Sequence, residues 1–100
     1  MLFVMSAMDR PNSLELRMAT REAHFAYARQ TAVVRLGGPF LNAKGEMIGS
    51  LIIFEADDLA AAQAWHAADP YKTAGLFASS SVQPWQATAN WCGAKLEAEG

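Results

Sequence analysis

Two places in this chain carry side chains whose types and spacing could do chemistry. The first is Asp69-Pro70-Tyr71, an acid, a helix-stopping proline and an aromatic hydroxyl between an alanine-rich run and Ala74-Gly75-Leu76-Phe77. The second is a stripe formed by Arg17, Arg21 and His24, at spacings of four and three, which puts all three on one edge of a helix. An imidazole titrates near pH 6.5, so His24 can take or give a proton at neutral pH. A carboxylate can fix an imidazole's tautomer or stabilise its charge, and general acid–base catalysis of this kind is worth about 10²–10⁴ in rate. Arg17 and Arg21 have the bidentate donors that hold a substrate carboxylate. Ser50, next to Gly49, offers a hydroxyl, and Tyr71 can orient Asp69 or donate to a ligand.

Each of these residues also has a plainer reading. His24 can be a half-buried histidine bonded to a backbone carbonyl, and Arg17 and Arg21 a solvated helix edge paired with Glu15 or Glu22. Ser50 can be a small packing residue and Tyr71 the anchor of a turn. Asp69 can simply end a helix before proline. An acid at a helix C-terminus nevertheless meets partial negative charge, and a local conflict of that kind favours a functional role.

The elements that must position these residues follow from periodicity and breakers. Residues 2–8 form an apolar run bounded by Asp9-Arg10-Pro11-Asn12, which predicts an interior strand and a turn. Asn12 or Ser13 caps a helix with Glu15 in its first turn, and Leu14, Met18, Phe25 and Ala28 are expected to face the sheet. Residues 33–36 predict a second strand that ends at Gly37-Gly38-Pro39. Residues 42–46 are turn chemistry, so a hairpin leads into a third strand over 47–56. Asp57 is expected to cap a helix over 59–68, with Leu59, Ala62 and Trp65 or His66 on its inner face. Pro70 halts it, Gly75 closes a short turn, and residues 77–85 predict a fourth strand. The order β-α-β-β-α-β is the split βαβ, ferredoxin-like motif of the α+β class: an antiparallel sheet with both helices on one face.

One hundred residues with 52% hydrophobic and 18% charged side chains describe one globular domain. A net charge of −2 without a basic cluster argues against nucleic acid. Cys92 is the only cysteine, which rules out an internal disulfide and fits a reducing cytoplasm. Residues 1–8 lack a basic leader and are too short for a signal peptide or membrane span, so neither secretion nor a membrane is expected. His66 lies three residues before Asp69, but no third ligand is near, so no metal is expected and His66 reads as a surface histidine. No nucleophile elbow, P-loop or dinucleotide fingerprint is present, and no cofactor is implied. Trp65, Trp85 and Trp91 read as core or interface, and Trp91 is expected to pack on a partner subunit or back onto the domain.

Residues 69–77, Asp-Pro-Tyr-Lys-Thr-Ala-Gly-Leu-Phe, followed by Val82-Gln83-Pro84-Trp85, resemble the C-terminal signature of the YciI-like (YCII-related) family. Ser13-Leu14-Glu15, Arg17 and Arg21-Glu22-Ala23-His24 resemble its first helix, Gly38-Pro39 its second strand, Gly49-Ser50 its third and residues 61–65 its second helix. The resemblance spans 1–86 and leaves 87–100 as a tail that packs on the domain or on a partner. It implies a ferredoxin-like fold of the dimeric α/β-barrel type, with a cleft in which His24 and Asp69 work together. It also implies a small-molecule enzyme of lyase or isomerase type acting on a carboxylate-bearing substrate. A non-catalytic metabolite-binding dimer and a cofactor-free monooxygenase are the alternatives.

Overall fold

The computed structural model describes residues 1–96, so the last four residues of the tail lie outside the described residues. Its elements are β1 (Leu2–Asp9), α1 (Leu14–Thr31), β2 (Val34–Leu41), β3 (Met47–Glu55), α2 (Leu59–Ala67), α3 (Pro70–Thr73) and β4 (Phe77–Pro84). The four strands make one sheet in the order β2-β3-β1-β4, and every neighbouring pair is antiparallel. β1 and β2 are therefore parallel and separated by β3, which is the split βαβ arrangement of an α+β ferredoxin-like fold. β1 is interior, as an apolar run on both faces requires.

Alternation along the strands assigns the two faces. Phe3, Met5 and Ala7 of β1 join Ile52 and Phe54 of β3 on the helix side, with Ala62 and Trp65 of α2 packed over them. Leu2 and Ile53 point the other way, where Leu96 of the tail covers them and Val4 and Leu51 lie alongside. Gly49 sits where β1 and β3 approach closely: a side chain there would overlap the Ala7 carbonyl oxygen. The helix pair is joined by polar bonds. The Tyr27 hydroxyl donates to the Trp65 carbonyl at 2.7 Å, and Trp65 Nε1 donates to Thr31 Oγ1 at 3.0 Å.

Four local expectations are corrected. β2 does not end before Gly37-Gly38-Pro39 but runs through it, with Gly37 opposite Ile52 and Pro39 opposite Ser50. β2 is an edge strand, where a residue without an N–H is tolerated. The cap of α2 is Asp58 rather than Asp57, its side chain accepting from Ala61 N at 2.8 Å. Ser13 occupies the first cap position of α1 but makes no side-chain capping bond. Leu14, Met18 and Phe25 are more than a third exposed instead of facing the sheet. The inward stripe of α1 is polar: Arg17 and His24 are buried, with Thr20, Tyr27 and Thr31 half-buried along the same side.

Trp91 does not pack back onto its own domain. It is 95% exposed, and the tail anchors on the domain through Leu96. The Asn90 side chain bonds both the carbonyl and the N–H of Ala94, and Gly93 has φ of +76°, a turn that only the glycine adopts without strain. That turn carries Leu96 inward and leaves Trp91 outside.

Candidate functional site

The polar inward stripe of α1 finds its partners on three other elements. His24 Nδ1 lies 2.9 Å and 3.1 Å from the two oxygens of Asp69, a separation short enough for direct proton sharing. Asp69 is fully buried, and its Oδ1 also accepts from Tyr71 N at 2.9 Å. Asp69 is the N-cap of α3, with Pro70 as the first helical residue. The conflict read from the sequence is thus resolved: the acid sits at a favourable helix start rather than at an unfavourable helix end. An ionised carboxylate only accepts, so the proton of a neutral His24 belongs on Nδ1 and the lone pair on Nε2. Nε2 makes no hydrogen bond among the described residues, and His24 lines a cavity of about 230 Å³.

The floor of that cavity is Ser50 and Ile52 of β3, its far wall Val34 and residues 37–39 of β2, and its near wall Arg17, Arg21, His24, Phe25 and Ala28 of α1. Met47 and Tyr71 complete it. The Tyr71 ring stacks on His24 with centroids 4.2 Å apart and planes 16° from parallel. The guanidinium carbon of Arg17 lies 4.8 Å from the centroid of the same Tyr71 ring. Burial pushes the Tyr71 phenol above its ordinary value, although Arg17 and Arg21 pull the other way. Tyr71 is therefore a neutral donor at physiological pH.

The two arginines separate. Arg17 is buried and paired with Asp9, Nε to Oδ2 at 2.7 Å and Nη2 to Oδ1 at 2.9 Å, and Nη2 also donates to Ser50 Oγ at 2.7 Å. Its partner is Asp9, not Glu15 or Glu22. Burial works against the Arg17 cation, but the Asp9 carboxylate outweighs it and raises the Arg17 pKa. Arg21 is exposed on the cavity wall, packed 5.2 Å over the Phe25 ring, and has no carboxylate partner among the described residues. Arg21 is thus the cation available to an incoming anion.

Asp9 was legible only as a turn residue, although it continues the inward alternation of Phe3, Met5 and Ala7. His66 was read as a surface residue, and the structure buries it: it is 6% exposed and stacked on Phe77. Its Nε2 lies 2.9 Å from Ser80 Oγ, while Nδ1 is buried without a partner among the described residues. Burial, then Lys72, lowers the His66 pKa, with Asp69 opposing. The unfolded chain therefore takes this proton first on acidification, and stability falls as pH drops below the unfolded value of about 6.5. Thermal melts from pH 7.5 to 5 check this: the wild type should lose melting temperature more steeply than His66→Gln. Parallel curves would contradict it.

The YCII-related domain matches residues 1–86. The chain belongs to the YCII-related family. It is 38% identical over 95 residues to Protein YciI of Escherichia coli, covering 86% of this chain and 97% of that one. An uncharacterised protein of Haemophilus influenzae is 39% identical over the same length. Among solved structures, 5-chloro-2-hydroxyhydroquinone dehydrochlorinase of Burkholderia phenoliruptrix, in complex with 2,5-dihydroxybenzoquinone, is 37% identical with a TM-score of 0.79. That match covers 86% of this chain and 94% of the dehydrochlorinase. An antibiotic biosynthesis monooxygenase shares the fold at a TM-score of 0.57 and 17% identity. No helix among the described residues is long and apolar enough to cross a membrane.

Proposed function

We propose that this YCII-related protein is a small-molecule acid–base enzyme of lyase or isomerase type, with His24 as the proton carrier and Asp69 as its partner. The observation that carries the reading is the 2.9 Å contact between His24 Nδ1 and a fully buried Asp69, with Nε2 left free beside a cavity. A cavity of about 230 Å³ suits one substituted ring, since roughly 150 Å³ is enough for benzene. Its lining of Phe25, Val34, Pro39, Met47 and Ile52 is apolar, with Arg21 as the available cation. The substrate is therefore a planar ring carrying a carboxylate or an equally acidic hydroxyl, held by Arg21. Arg17, Ser50 and Tyr71 line the same cavity.

The dehydrochlorinase resemblance fits this class, because loss of HCl from a hydroxylated ring needs a proton moved at a carbon next to an enol. The test is turnover of 5-chloro-2-hydroxyhydroquinone, followed as chloride release. A bell-shaped pH–rate curve is expected. A thermal shift with this ring and with 2,5-dihydroxybenzoquinone but no turnover or proton exchange would replace the enzyme with a metabolite-binding protein. Consumption of O₂ would replace it with an oxygenase.

We also infer a homodimer through the sheet face away from the helices. Leu36 is 50% exposed and pairs in register with Ile53 on that face, and the tail covers only one end of it. Sedimentation at the mass of a single chain would contradict the dimer. The single unpaired cysteine, Cys92, is consistent with a cytoplasmic location, which fractionation of the native host checks.

A further inference from the structure

We propose that Ser50 donates a hydrogen bond to an anionic oxygen of the ligand, and that Asp9 and Arg17 fix the direction of its hydroxyl. The proposal rests on the ring-binding reading of the cavity above. A serine hydroxyl has one proton and two lone pairs, whereas a guanidinium only donates. Arg17 Nη2, 2.7 Å from Ser50 Oγ, therefore occupies a lone pair and leaves the hydroxyl proton unspent. No acceptor for that proton exists among the described residues, and Ser50 is 4% exposed and lines the cavity beside His24.

A buried donor without an acceptor is costly, so an oxygen that enters the cavity gains by accepting from it. The contact from Arg17 is short and charge-assisted, and it polarises the hydroxyl it reaches. Asp9 is what holds Arg17 in that pose, through two bonds of 2.7 Å and 2.9 Å. Asp9 also cancels the Arg17 charge, so the ligand meets an oriented dipole here and a free cation only at Arg21. The two act at different points. Arg21 attracts the anion from solvent, and Ser50 receives the oxygen on which charge grows as His24 moves a proton. Ser50 is then a catalytic residue, and Asp9 and Arg17 are positioning residues that act through it.

Calorimetric titration with 2,5-dihydroxybenzoquinone, whose hydroxyls are ionised at neutral pH, tests the assignment. Ser50→Ala removes the hydroxyl, and with it both the donor to the ligand and the acceptor of the Arg17 Nη2 bond, and should weaken binding about tenfold or more. Asp9→Asn uncovers the Arg17 charge in both backgrounds but loosens the hydroxyl only where Ser50 is present, so its effect on affinity should be several-fold less favourable in the wild-type background than in the Ser50→Ala background. Unchanged affinity in Ser50→Ala overturns the donor role while the ring-binding reading stands. An Asp9→Asn effect of equal size in both backgrounds overturns the positioning role. Failure of the wild type to bind the quinone overturns the ring-binding reading, and this assignment with it.

Discussion

Asp69→Asn is expected to abolish most of the activity while leaving the fold standing. The asparagine oxygen can still cap α3 by accepting from Tyr71 N, as Oδ1 of Asp69 does at 2.9 Å. What it loses is the acceptor-only character that places the His24 proton on Nδ1. An amide group that turns its NH₂ toward Nδ1 shifts the proton to Nε2, and the nitrogen facing the cavity stops being a base. The expected fall in kcat/KM is about 10²–10⁴, the usual worth of a general acid–base group. Asp69→Ala should behave differently, because it removes the cap and leaves a buried Nδ1–H unpaired. Those losses, about 1 kcal/mol for the cap and 1–3 kcal/mol for the orphaned donor, should appear as a loss of about 2–4 kcal/mol in urea denaturation. An Asp69→Asn protein with wild-type turnover would remove Asp69 from the mechanism.

The largest stability effect is expected at Asp9→Ala. Arg17 is 3% exposed and takes both of its Asp9 bonds in a buried setting. Deleting one partner of such a pair leaves an uncompensated charge, at a cost of about 3–5 kcal/mol. Domains of this size hold only about 5–15 kcal/mol in total, so the variant should be close to unfolding at 37 °C. Removing both charges, as in Asp9→Leu with Arg17→Met, should recover most of the loss, because the burial penalty of the ions goes with them. Urea midpoints for the single and double variants decide the matter. A cost below about 1 kcal/mol for Asp9→Ala would mean the pair behaves as an exposed one.

What could be read from local sequence was whatever depended on local sequence. The strand cores, the Asn42–Glu46 turn and the alanine-rich helix all carry their own periodicity or turn chemistry, and the split βαβ order follows from them. The spacing that placed Arg17, Arg21 and His24 along one edge of α1 also held, in that all three line the cavity. The direction of that edge was not legible. α1 carries apolar residues on several sides, and its polar stripe turns inward because Asp9, Ser50 and Asp69, from distant elements, satisfy it. A period of 3.6 says which residues share a face but not which face is buried. The same limit applied to His66, whose partner Ser80 lies fourteen residues on. Asp69 looked out of place because the one-turn helix that it caps is too short to show a period.

In the function proposed above, His24 moves a proton on a ring held in the cavity beside it. The most direct measurement is solvent-deuterium exchange into the ring C–H positions of 2,5-dihydroxybenzoquinone, where each carbon is flanked by an enol and a ketone. Exchange is followed by proton NMR for the wild type and for His24→Ala, with calorimetry used to check that both proteins bind the quinone. The expected result is exchange well above the uncatalysed rate in the wild type and a loss of about 10²-fold or more in His24→Ala. Equal exchange in the two proteins, with the quinone bound in both, would contradict it.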